Sequence, residues 1–306
     1  MAIAVDPATL LLKSNDLGTS SGTLIEVDVE RAGWEFTGLT VVRLAPGEGW
    51  QRETGSDEVA LVPLGGRCRI ASGDHTWTIG ERDNPFAGQP WAVYLPRGSG
   101  FTVTAETPLE LAVCAARAER EFEPRVIRPE DVKVEIRGAG NAARQINHII
   151  EPSFNADRLL VVEVFTPSGN WSSYPPHKHD IHDMPREADL EEIYYYRIDP
   201  ADGFALQRLY TADGQTDAAY VIHDGDLLLV PEGYHTFAVA QGYTGYYLNV
   251  LAGDEPVRTM QPSDDPAYAW LRETWSDELN VGLTSWRDIA ERVNGPAGKR
   301  VATSAG

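Results

Sequence analysis

The chain has 306 residues, 42% of them apolar, and a formal charge of −20, which is the composition of an ordinary globular protein with room for one large or two medium domains. No run of about 18 apolar residues is present, so no membrane span is expected. The charge argues against a nucleic-acid partner, whose phosphates need a basic footprint, but permits an anionic small molecule wherever a local arginine or metal outweighs the global field.

The N-terminal stretch "MAIAVDPATLLLKSNDLG" has no basic region ahead of its short apolar segment, so no signal peptide is expected and the protein is read as cytoplasmic. From about residue 20 to 252 short apolar or alternating runs follow one another, separated by Gly, Pro and Asp. Examples are "GLTVVRLAPGEGW", "EVALVPLGGRCRI", "RLLVVEVFTPSGNW" and "EEIYYYRI". Such spacing predicts an all-β sandwich or barrel. Cys68 and Cys114 sit singly in strand-like contexts and are expected as reduced core thiols.

The charged stretch 116–144 suggests a connection. The expected organisation is an N-terminal barrel over 1–120, a linker over 121–145, a C-terminal barrel over 146–252 and a helical extension over 253–306. In that extension "DPAYAWLRETWSDEL" and "TSWRDIAERVNG" are helix-like, the second with a Thr or Ser N-cap and Gly295 as its stop; the last residues, "KRVATSAG", are expected to fray. There is also an internal echo. Glu58 with Gly65 and "PRGSGF" (96–101) in the first half answer Glu192 with Asp199 and "PEGYH" (231–235) in the second, as in a duplicated barrel.

Five of the seven histidines, at 177, 179, 182, 223 and 235, fall within about sixty residues. In an extended "YPPHKHD", His177 and His179 project from one face. In "LEEIYYYRI", Glu192, Tyr194 and Tyr196 share a face, and "GDLLLVPEGYH" ends in a turn that presents His235.

This order resembles the double motif of the cupins: His-x-His, Glu and Gly, then Gly, Pro-x-Gly and His. The resemblance implies a bicupin of two antiparallel jelly-roll barrels, with His177, His179, Glu192 and His235 as ligands of one divalent ion. Two features depart from the general pattern: twelve residues separate His179 from Glu192, and His235 follows Gly233 after a single residue. The first implies an inserted loop, "DIHDMPREADLE", over the barrel mouth. With "GFALQRLYT" and "GYYLNVLAG", these phrases resemble the 5-deoxy-glucuronate isomerases of myo-inositol breakdown over roughly residues 20–275. More distantly they resemble the zinc-binding 5-keto-4-deoxyuronate isomerases. Zinc is therefore the first expectation, with Mn, Fe, Co and Ni also compatible with the donor types. His182 and His223 are expected near the site without ligating. The first barrel has Phe101 where a histidine would stand and none before Glu58; its expected job is packing, orientation or dimerisation, which admits a homo-oligomer.

The family's reaction interconverts 5-deoxy-D-glucuronate and 5-dehydro-2-deoxy-D-gluconate, an aldose–ketose shift through an enediolate. Such a shift needs a Lewis acid for the two oxygens and a base that moves a proton between adjacent carbons. Tyr194 and Tyr196 are the candidate proton carriers, with His223 and Glu191 as outsiders. Arg208 is the candidate anchor for the substrate carboxylate, its neighbour Gln207 facing the other way. Tyr247 and Asn249 are candidates for the sugar hydroxyls. The alternatives are an Fe-dependent cupin oxygenase, which would consume oxygen, and a non-catalytic sugar-acid-binding bicupin.

Overall fold

The computed structural model describes residues 6–15 and 20–294. The first half supplies β1 (Leu11–Leu12), β2 (Gly22–Val27), β3 (Thr37–Leu44), β4 (Gly49–Glu53), β5 (Asp57–Gly65) and β6 (Cys68–Ser72). It continues with β7 (His75–Ile79), β8 (Ala92–Leu95), β9 (Gly100–Ala105), β10 (Leu109–Arg117) and β11 (Arg125–Ile127). The second half begins with β12 (Lys133–Arg137), β13 (Arg144–Ile150), β14 (Leu160–Thr166), β15 (Trp171–Lys178), β16 (Asp180–Asp183), β17 (Glu187–Asp189) and β18 (Glu191–Asp199). It closes with β19 (Ala205–Tyr210), β20 (Asp217–Ile222), β21 (Leu227–Val230), β22 (Tyr234–Val239), β23 (Thr244–Ala252) and β24 (Ser263–Asp264).

All pairings given for these strands are antiparallel, as the sequence led us to expect. A six-stranded sheet, β11-β8-β5-β10-β3-β2, faces a four-stranded sheet, β4-β9-β6-β7; a seven-stranded sheet, β1-β21-β18-β23-β14-β13-β12, faces a five-stranded one, β20-β19-β22-β15-β24. Strand alternation decides what each large sheet buries. On β5, Val59 and Leu61 belong to the first barrel's own core, whereas Ala60 and Val62 belong to the core shared between the barrels. Likewise Ile193 and Tyr195 of β18 enter the shared core, and Glu192, Tyr194 and Tyr196 point into the second barrel.

Two carboxylates fasten the barrels to each other in matching ways. Glu58, fully buried, accepts the backbone N–H groups of Asp157, Arg158 and Leu159 at 2.8, 2.7 and 2.7 Å, just before β14. Glu191 accepts those of Glu35, Phe36 and Thr37 at 2.7, 3.0 and 2.8 Å, at the start of β3. Three N–H donors per carboxylate satisfy chain that would otherwise be buried with unpaired backbone.

This symmetry corrects the echo read from sequence. Val59 pairs with Leu95 and Glu192 with Val230, the residues immediately before Pro96 and Pro231. The counterpart of Glu58 is therefore Glu191, and that of Glu192 is Val59. A shift of one residue exchanges the faces of a strand, so the glutamate of the first barrel points away from its interior.

The stretch expected to be a linker also differs. Arg125–Ile127 extends the first barrel's sheet beside β8, Lys133–Arg137 extends the second beside β13, and β1 joins the second barrel beside β21. Edge strands carry one solvated face, so their charge reads as loop composition. Beyond β24, Ala269–Thr274 and Asp277–Asn280 form short 3-10 turns, and the expected second helix is α1 (Trp286–Asn294). Its N-terminus is capped as expected: Ser285 Oγ accepts from Asp288 N at 3.4 Å, while the Asp288 carboxylate accepts from Thr284 N at 2.8 Å and Ser285 N at 2.9 Å. The expected stop at Gly295 and the tail after it lie outside the described residues. Cys68 and Cys114 are buried free thiols, as anticipated; burial pushes the Cys68 thiol up to about 12.

Candidate metal centre

β15 delivers the paired histidines through an irregularity. Its register with β22 is regular at Trp171 and Ser172, then shifts so that His177 faces His235. Glu192 comes from β18 in the opposing sheet. His235 follows Gly233, which holds φ +92 where a Cβ would meet Tyr210 O at 2.7 Å, so the tight turn needs glycine. The single-residue spacing after Gly233 thus still brings His235 into the barrel, fully buried.

One ligand atom each from His179, Glu192 and His235 lies within 4.8 Å of the others, compatible with donors about 2.0–2.2 Å from a common ion. His177 adjoins this group, its ring centroid 4.8 Å from that of His235 and 6.4 Å from that of His179. The imidazoles are oriented alike. Nδ1 of His177, His179 and His235 faces the carbonyl oxygens of Pro175, Leu190 and Gly233 at 3.3, 3.0 and 3.3 Å. A carbonyl only accepts, so each Nδ1 donates and each Nε2 is left to face inward.

His179 Nε2 is 2.9 Å from Glu192 Oε2. His235 Nε2 stands 3.3 Å from the same oxygen but off hydrogen-bonding geometry, so it is buried without a partner. A buried lone pair beside a carboxylate fits a cation. Burial alone would raise the Glu192 carboxyl, but the hydrogen bond to His179 and the proximity of the His179 and His235 imidazoles outweigh it and hold the group well below the usual carboxylate range. Burial lowers His177, helped by the charges of His235 and His179, so this imidazole is neutral at pH 7. Imidazole and carboxylate are donor types that a borderline divalent ion accepts, and such an ion would displace the proton that, against burial, the hydrogen bond to Glu192 favours on His179. The residues present therefore fit a metal.

His177, His179 and Glu192 line a cavity of about 120 Å³. Tyr194, Tyr247 and Asn249 line it, as does Ser173, whose Oγ is 3.1 Å from the Tyr194 hydroxyl. Burial, reinforced by the Glu192 charge, raises the Tyr194 hydroxyl well above its ordinary value, so it remains a proton donor. The Tyr247 hydroxyl donates to Ser172 Oγ at 3.0 Å, and Asn249 Nδ2 donates to Ile193 O at 3.3 Å. Arg137, Arg144, His148 and Arg272 complete the wall.

Other candidates lie elsewhere. Tyr196 is behind the cavity wall, stacked between Tyr194 and Phe237 at 5.7 and 5.6 Å, and is core rather than lining. Arg208 is on the outer face, 41% exposed, donating to both Asp217 oxygens at 2.8 Å, with its guanidinium 4.0 Å from the Tyr210 ring centroid. Alternation on β19 sends the fully buried Gln207 inward instead. The expectation that Arg208 meets a substrate carboxylate does not survive this placement. His182 is exposed and paired with Glu255, His223 is exposed, and Glu191 is the inter-barrel fastener described above. Arg137 and Arg144 were missed because 121–145 was taken as linker, and Arg272 because it falls in the expected helical extension. The alternation Arg144, Ile146, His148 against Gln145, Asn147 was the signal available.

Two tandem antiparallel barrels with a histidine–carboxylate cluster in the second define a bicupin. The chain belongs to the KduI/IolB family, whose model matches residues 10–271. It is 48% identical over 255 residues to the 5-deoxy-glucuronate isomerase of Geobacillus thermodenitrificans, covering 83% of this chain and 92% of that protein. To the enzyme of the same name from Bacillus subtilis strain 168 it is 37% identical, covering 86% and 98%. Among solved structures, an IolB-like protein from Salmonella typhimurium LT2 superposes with TM-score 0.82 and 40% identity over 86% of this chain and 99% of that one. A Bacillus subtilis oxalate decarboxylase mutant, at TM-score 0.59 and 13% identity over 94% and 87%, shares the fold alone.

Proposed function

We propose that this protein is an aldose–ketose isomerase that interconverts 5-deoxy-D-glucuronate and 5-dehydro-2-deoxy-D-gluconate. The observation that carries the reading is the joining, in one cavity, of the His179–Glu192–His235 cluster to a cationic wall, in a chain so similar to 5-deoxy-glucuronate isomerases. His177, His179, Glu192 and His235 are the proposed holders of one divalent ion, zinc first, with Mn, Fe, Co or Ni as the other candidates. Such an ion supplies a Lewis acid that polarises a carbonyl.

The chain's own groups bind and orient the substrate. The shift removes the proton on C2 and delivers one to C1, while the hydroxyl proton on O2 is exchanged for one on O1. Tyr194, kept protonated, donates a hydrogen bond to a substrate oxygen as negative charge develops there. It does not act as a phenolate base. Tyr247 and Asn249 hold the sugar hydroxyls. The barrel wall limits water around the reacting carbons. Among the described residues no helix is long and apolar enough to cross a membrane, and the two free thiols fit a reducing compartment; we place the enzyme in the cytoplasm.

The test is NMR of 5-deoxy-D-glucuronate incubated with purified protein in D2O, paired with elemental analysis. The expected result is the ketone with deuterium on the former aldehyde carbon, C1 of the substrate and C6 of the product, from a preparation holding a divalent metal. No conversion, or product formed only with uptake of oxygen, overturns the isomerase.

A further inference from the structure

The cavity wall carries two chemically unlike groups of side chains. Besides the histidine–glutamate cluster, the wall carries three guanidiniums, of Arg137, Arg144 and Arg272. Two of them already have counter-ions. Arg137 donates from Nε and Nη2 to the two Glu135 oxygens at 2.8 Å each, and Arg272 donates to the two oxygens of Asp264.

Arg144 differs. It is 3% exposed, and among the described residues no carboxylate lies within ion-pair distance of it. Its hydrogen bonds both leave from Nη1, to Ala142 O at 3.2 Å and Tyr174 O at 3.3 Å. The Nε–Nη2 edge of the fork is left for a ligand. Burial pushes the guanidinium down to about 10, so it still carries its charge at neutral pH. Holding an uncompensated charge out of water is costly, and a protein that keeps one against a cavity has a use for an anion there.

The guanidinium lies against the β12–β13 connection. Gly138, at φ +80, is required by the β12–β13 turn itself, where a Cβ would collide with Ala142 O, and that Cβ would also come within 2.8 Å of Arg144 Nη1. The carbonyl of Tyr174 that accepts from Arg144 is three residues ahead of His177 on β15. One strand therefore connects the free cation to the histidine cluster.

We propose that Arg144 binds the substrate carboxylate and makes the cavity select a sugar acid over the corresponding neutral sugar. The inference rests on the isomerase reading for the identity of the acid. The chemistry of the site alone asks for a carboxylate, which the planar guanidinium fork engages by two parallel hydrogen bonds. Arg144 then fixes the far end of the substrate, so that the aldehyde end falls at the cluster.

The test compares the wild type with Arg144→Gln and Arg144→Lys. Each is assayed on 5-deoxy-D-glucuronate and on its analogue with a C6 alcohol in place of the carboxylate. Wild type is expected to prefer the acid by about 100-fold or more in kcat/KM, as for one desolvated charge pair. Arg144→Gln should bring the two substrates within a few-fold, mainly through KM, with metal content unchanged by elemental analysis; Arg144→Lys should restore part of the preference. A second readout avoids turnover: D-gluconate should raise the Tm of wild type and not that of Arg144→Gln. Retention of both the preference and the D-gluconate response in Arg144→Gln overturns the proposal. If wild type fails to turn over the uronate, the isomerase reading falls by itself, and the D-gluconate comparison still decides Arg144.

Discussion

The two barrels share one frame and put it to different uses. β5 corresponds to β18 and β9 to β22, yet where the second barrel has Glu192 the first has Val59, and where the second has His235 the first has Phe101. Val59 and Phe101 are buried in the first barrel's own core with Leu61, Val93 and Ile70. The second barrel also carries two edge strands without counterparts in the first, β12 and β24. Both flank the cavity: Arg137 comes from β12, and Asp264 of β24 holds Arg272. A metal-type cavity thus required a few inward substitutions and two added walls, while the duplicated sheets and their Glu58 and Glu191 fasteners were kept. Fold and site are separable here.

The sharpest way to break the comparison is to exchange carboxylate and valine at matched positions. Glu192→Gln should lower bound metal and reduce isomerase activity by about three orders of magnitude, the loss of several kcal/mol of Lewis-acid assistance. Val59→Glu should give no metal binding and destabilise the protein by about 3–5 kcal/mol, because the new carboxylate is buried without a partner. Elemental analysis and urea unfolding read both. A Val59→Glu variant as stable as wild type would show that the first interior is wet, and the contrast between the barrels would fail.

Phe101 sharpens the same contrast with a smaller effect. It is 5% exposed, with its ring centroid 5.9 Å from that of Trp50. Phe101→Ala should cost about 3 kcal/mol by cavity formation and leave metal content untouched. A cost of only a few tenths in urea unfolding would mean that the ring fills nothing.

How much of this was legible in the chain follows from which signals are local. Short alternating strands announced the barrels, and the convergence of His179, Glu192 and His235, with His177 beside them, could be read because motif spacing is a property of sequence. The pairing of Glu58 with Glu192 was misjudged by one residue, since spacing to a glycine does not fix strand register and only the partners Leu95 and Val230 do. Arg208 was chosen because a guanidinium in a strand beside the motif suits an anion. Which of Gln207 and Arg208 faces inward depends on β22, a strand distant in sequence. Arg144 went unseen because a charge-rich edge strand has the composition of a loop.

The smallest effect concerns a wall that the first barrel lacks. Glu135 on β12 faces His148 Nε2 at 2.9 Å and holds Arg137. The His148 hydrogen bond, then Arg137, against a raising contribution from burial, keeps its carboxyl well below the ordinary range. A carboxyl depressed in the folded state contributes stability that is complete above its unfolded value, about 4.3. That contribution is lost as pH falls from there through the folded value. With Glu135 31% exposed, solvent screening limits the contribution to about 1 kcal/mol. Glu135→Gln should therefore be less stable than wild type by about that amount at pH 6, and the gap should narrow steadily below about pH 4.5. Urea midpoints of the two proteins across this range measure it. A gap that widens towards acid would mean that the neutral carboxyl is the favoured form. The wall beside Arg144 would then be held by something other than this ion pair.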